Sequence, residues 1–65
     1  MCESSVYLVN GSMRTLVMPE AARILVTGEG VVCFDIAGGR KTVEGAVLAE
    51  ADLMRHQIIL MPKQS

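Results

Sequence analysis

Ser4-Ser5-Val6-Tyr7-Leu8-Val9-Asn10-Gly11-Ser12-Met13-Arg14-Thr15-Leu16-Val17-Met18 reads as a β-hairpin, and that reading decides the fold class. β-Branched and large apolar residues fill both arms. Asn10-Gly11 between them is the strongest short hairpin signal, because both residues tolerate positive φ. The pattern predicts strands over residues 4–9 and 12–18. Pro19 has no amide hydrogen to give a ladder, so it is expected to end the second arm in a turn over residues 19–22.

Outward from this hairpin, short apolar runs alternate with turn residues. Strands are predicted over residues 23–27, 31–36 and 41–44, separated by Gly28-Glu29-Gly30 and by Ala37-Gly38-Gly39-Arg40. After Gly45 a strand is expected over residues 46–48, then a single helical or 3₁₀ turn over residues 49–52. A last strand over residues 57–61 is ended by Pro62, and the tail Lys63-Gln64-Ser65 is expected to fray. Six or seven such strands in 65 residues are too little for an ordinary two-sheet sandwich. They suit an all-β fold, a small bent antiparallel meander or SH3-like barrel, as a single domain over residues 1–65.

At this size, apolar burial and the entropy of ordering the chain nearly cancel. A disulfide, a metal or a second chain is the expected supplement. Pairing with a second copy would cover exposed edges and add core, so a homodimer is expected. The chain is 51% hydrophobic and 20% charged, which excludes disorder. Its net charge is -1, with scattered basic residues and only Tyr7 and Phe34 as aromatics, so a nucleic-acid partner is poorly supported. No apolar stretch is long enough to span a membrane. Met1-Cys2-Glu3-Ser4-Ser5 lacks a basic region leading into an apolar run, so no signal peptide is read. A cytoplasmic protein with two reduced thiols is expected.

Cys2 carries the most chemistry. Its small size permits removal of Met1, which would leave an α-amine and a thiol on one residue. Together they close a five-membered chelate ring on a metal ion, and the Glu3 amide nitrogen lies next in line. Such nitrogen and sulfur donors suit a square-planar ion, nickel(II) or copper(II). Both donors deprotonate around and above neutral pH. The competing reading is an N-terminal residue without a special role.

Cys33 lies in Val31-Val32-Cys33-Phe34-Asp35-Ile36, where alternation sets Val31, Cys33 and Asp35 on one face. It reads as a small apolar filler. A tetrahedral zinc site drawing Cys2 and Cys33 from two chains is the alternative, without supporting Cys-x-x-Cys or paired-His spacing. His56, the lone histidine, reads as a hydrogen-bonding turn residue with no nucleophile or acid beside it. Gly38-Gly39-Arg40-Lys41 lacks the ending and context of a phosphate loop and reads as a hairpin turn. The methionines read as core packing, and Glu44, Glu50 and Asp52 as a solvated face. No catalytic constellation emerges, so no enzyme is expected.

The opening Met1-Cys2-Glu3-Ser4-Ser5-Val6-Tyr7-Leu8 resembles that of the CooT family of small nickel-binding accessory proteins for carbon monoxide dehydrogenase. Asp35-Ile36, Gly38, Lys41, Val43-Glu44-Gly45, Asp52-Leu53 and His56-Gln57-Ile58-Ile59-Leu60 continue the resemblance in order, whereas Ala37-Gly38-Gly39 departs from it. The resemblance implies a small β-rich homodimer that binds Ni(II) as cargo through Cys2 and serves a metalloenzyme or maturation protein as recipient. The alternatives are an RNA-binding small β-barrel and a metal-independent protein-interaction module.

Overall fold

The computed structural model describes residues 3–64. Six strands follow one another: β1 (Ser4–Asn10), β2 (Met13–Val26), β3 (Gly30–Asp35), β4 (Arg40–Glu44), β5 (Ala46–Asp52) and β6 (Gln57–Pro62). They form one sheet in the order β4-β3-β2-β1-β6-β5, curled into a half-barrel. The all-β expectation of a small bent barrel is met.

The opening hairpin forms, but its turn falls one residue later than the Asn10-Gly11 signal places it, and Asn10 stays in β1 without a positive φ. Asn10 still pairs with Met13, so the two-residue loop is Gly11-Ser12. Gly11 has φ of 63° and Ser12 is not left-handed, which is the pattern of a II′ turn.

Three expectations are corrected. Residues 19–22 make no turn: β2 runs through Pro19 for 14 residues. Its first half pairs with β1 and its second half with β3, and the ladder shifts register at the crossing, between the Ser4 and Val6 pairings and again between Ala21 and Arg23. A proline is tolerated at such an irregularity because no ladder hydrogen bond is demanded of it there. Residues 49–52 likewise form no helical turn. β5 continues to Asp52 with a bulge between Leu48 and Glu50, and the turn falls at residues 53–56. β6 also includes Pro62.

Nearest-neighbour logic does not give the pairing of β1 with β6. It is parallel, with Val6 beside Ile58 and Leu8 beside Leu60. The cause of the curl lies in Gly45. It is the single residue between β4 and β5, which are the two margins of the sheet. One residue can join them only if the sheet rolls until the margins meet. The corner needs φ of 73° and is tied by Gly45 N–H donating to Glu29 O at 2.9 Å and Lys63 N–H donating to Gly45 O at 2.7 Å.

The core lines the concave side. Val6, Val31, Cys33 and Leu60 are fully buried, joined by Met18, Ala21, Ala46 and Ile58. Leu8, Val17, Ile24 and Val43 pack around them. No buried side-chain polar atom among the described residues lacks a partner.

Candidate functional site

The chain start is anchored to one end of the sheet. Ser4 pairs with Ala21 on β2, and Ala21 pairs with Asp35 on β3. Ser5 pairs with Gln57 on β6, which pairs with Asp52 on β5. Ser5 N–H donates to His56 O at 2.9 Å, and Ser5 Oγ donates to Pro19 O at 3.0 Å. This end therefore carries the start of β1, the turn after β3 and the turn after β5. Cys2 itself lies outside the described residues.

Each other candidate has a settled place. Cys33 is fully buried in the core, and loss of hydration on burial pushes its thiol above the ordinary value. A buried neutral thiol is a poor metal ligand, as its reading as filler requires. His56 is exposed and left-handed, with φ of 56°, and closes the turn at residues 53–56. Asp52 organises that turn: its Oδ1 accepts from Arg55 N–H at 3.1 Å, and its Oδ2 lies 3.8 Å from Arg55 Nε. No group of three or more His, Cys, Asp or Glu residues that could hold a metal occurs among the described residues.

The glycine pair is a hairpin turn, as expected, but its organiser went unread in the sequence. Asp35 Oδ1 accepts from Ala37 N–H at 3.0 Å and from Gly39 N–H at 2.7 Å. These are the amides that a phosphate would use, and a carboxylate already holds them. The carboxylate also explains Gly39: a Cβ there would meet Asp35 Oδ2 at 2.5 Å. Asp-x-x-x-Gly across a turn was the available signal. Beside this turn, Met18, Pro19, Glu20, Asp35, Ile36 and Ala37 line an open cavity of about 170 Å³. Its polar walls are carboxylates, hard oxygen donors that do not match a nickel–thiolate chemistry. No helix of the described residues is long and apolar enough to cross a membrane.

No curated protein sequence matches the chain. A crystal structure of a protein assigned as CooT from Carboxydothermus hydrogenoformans is similar to it, at 30% identity and a TM-score of 0.84. The match covers 97% of this chain and 100% of that one. The family model described as CO dehydrogenase accessory protein CooT matches residues 1–61. With the fold and nearly the whole sequence in agreement, this chain belongs to the CooT family of CO dehydrogenase accessory proteins.

Proposed function

We propose that this chain carries nickel(II) as cargo, bound through Cys2 at the N-termini of two copies, in support of CO dehydrogenase maturation. The observation that supports it most is the division of labour between the two cysteines. Cys33 is spent in the core, so Cys2 is the thiol left for metal chemistry, three residues from a strand start held by His56 O and Pro19 O.

After removal of Met1, the Cys2 α-amine and thiolate of each copy supply two donors. Two copies together complete a square-planar set of two nitrogens and two sulfurs around one ion. Binding releases protons, so affinity rises with pH through the range where amine and thiol titrate. A site built on chain termini suits transfer of the metal to a recipient. The acidic cavity beside Asp35 takes no part.

Native mass spectrometry of Met1-processed protein titrated with nickel(II) tests this reading. One nickel per two chains is expected, lost in Cys2→Ser and kept in Cys33→Ser. Binding unchanged in Cys2→Ser, or normal binding by protein that retains Met1, would overturn it.

A further inference from the structure

Asn10 is the only asparagine in the chain, and a glycine follows it. The pair signals a turn, yet Asn10 stays in β1 and the loop is Gly11-Ser12. Asn10, Gly11 and Ser12 are all exposed, and Met13 beyond them is 67% exposed. A Cβ built on Gly11 would meet nothing within 4 Å, so this peptide unit is open to water. Among the described residues, the Gly11 N–H donates no hydrogen bond, and the Asn10 carboxamide neither gives nor accepts one.

Similar side chains elsewhere are restrained. Asp35 Oδ1 is held by the Ala37 and Gly39 amides, and Asp52 Oδ1 by the Arg55 amide. The residues that follow these two aspartates, Ile36 and Leu53, carry bulky side chains that shield the next amide nitrogen. Gln57 lies inside the ladder between Ser5 and Asp52. Its side chain, one carbon longer, would have to close a six-membered ring, which forms more slowly than a five-membered one.

We propose that Asn10 is a modification site, at which the folded protein deamidates through its own backbone. The Gly11 amide nitrogen loses its proton and attacks Asn10 Cγ. The N–Cγ bond forms, the Cγ–Nδ2 bond breaks, and Nδ2 leaves as ammonia with the balancing proton. A five-membered succinimide remains, and water opens it. Attack by water at Cγ gives aspartate on an unaltered main chain. Attack at the former Asn10 main-chain carbonyl gives isoaspartate, in which Gly11 is joined through the side-chain carbon. Water is the sole co-reactant.

The ladder sets the pace. Attack requires the Gly11 nitrogen to turn toward Cγ, and pairing with Met13 holds Asn10 extended against that rotation. This is the last pair of the β1–β2 ladder, so it frays without opening the rest of the sheet. The reaction therefore follows fraying of the hairpin tip and does not wait for global unfolding. The isoaspartyl product adds one carbon to the main chain just before a two-residue loop, which the II′ turn cannot absorb. The end pair is then lost. The aspartyl product keeps the pair and makes the net charge of -1 one unit more negative.

The test is intact-mass spectrometry with peptide mapping of protein kept warm at mildly alkaline pH, below its melting transition. Wild type should gain the mass difference between NH and O in the tryptic peptide ending at Arg14. Isoaspartate at residue 10 should accept a methyl group from an isoaspartyl methyltransferase. The rate should rise with pH, and Asn10→Gln should show no gain over the same period. Urea well below the unfolding midpoint should leave the rate nearly unchanged, because fraying of the tip exposes little new surface. No gain at Asn10, or an equal gain in Asn10→Gln, would overturn the proposal. So would a rate that climbs steeply with urea, because it would assign the reaction to the unfolded chain. The isoaspartyl fraction, once isolated, should melt below unaged protein, whereas Asn10→Asp should melt close to wild type. An isoaspartyl fraction as stable as unaged protein would overturn the loss of the end pair.

Discussion

The two halves of the convex side of this small sheet are built from similar apolar strands and finished differently. Over β1 and β6, Tyr7 and Ile59 have each other and Leu16 as lateral neighbours. Over β3, Phe34 has Arg23 on one side and Arg40 on the other, and Val32 has Leu25 and Thr42. The Arg23 guanidinium lies 4.7 Å from the Phe34 ring centroid. An arginine stem shields an apolar ring while its head stays hydrated, so Phe34 is covered within one chain, as Arg14 covers Tyr7 on the β1–β6 half. Beyond these rings the β3 half leaves Leu25 40% exposed, and the β1–β6 half leaves Leu16 50%, Val47 40% and Met61 37% exposed. Neighbours across the ladder, more than the strand's own residues, decide which side chains are shielded and which stay open.

The largest effect should come from beneath the apolar half. Leu60 is fully buried between the exposed Met61 and the half-buried Ile59. Leu60→Ala should cost about 2–5 kcal/mol, enough to unfold most of so small a domain, as read by urea denaturation. A smaller loss would mean that the concave core does not hold this half together. The comparison between halves is tested directly by Ile59→Ser against Val32→Ser, which should cost similar amounts in urea denaturation, up to about 1.5–3 kcal/mol, because both side chains are half-buried. A clear excess at Ile59 would show that a surface outside this chain covers its half.

Gly45→Ala probes the corner that makes the sheet curl at all. Its left-handed φ should cost about 1–2 kcal/mol in a thermal melt. Cys33→Ala sharpens the assignment of the buried thiol. Burial raises the folded pKa of Cys33 above its unfolded value, so its contribution is full at lower pH and is lost as the pH climbs past about 9. Wild type should therefore lose thermal stability in that range, and the variant should lose less. The smallest effect belongs to the Arg23–Phe34 pair: Phe34→Leu should cost the β3 half about 0.5–1 kcal/mol beyond the apolar area it removes.

Much of this was legible in the residues. The Asn10-Gly11 hairpin, the turn at Gly38-Gly39 and the core position of Cys33 follow from local preference and alternation. The chelate we propose at Cys2 also rests on the sequence alone, because amine and thiol would share one residue. Pro19 misled because a proline reads as an end, and its place at a change of strand partner is visible only when both partners are present. Residues 49–52 misled because Ala and Glu favour helix, and pairing with β6 overrode that preference.

The sequence by itself determined the all-β class, the first hairpin, the core place of Cys33, and strands apolar on both sides. Each depends on neighbours along the chain. Only the tertiary structure decided that β6 inserts beside β1 in parallel, that Gly45 rolls the two margins together, and that Tyr7, Leu16, Ile59 and Met61 meet on one uncovered face. Such meetings join residues about fifty positions apart. Their selection comes from the burial gained by the assembled sheet, which no local window contains.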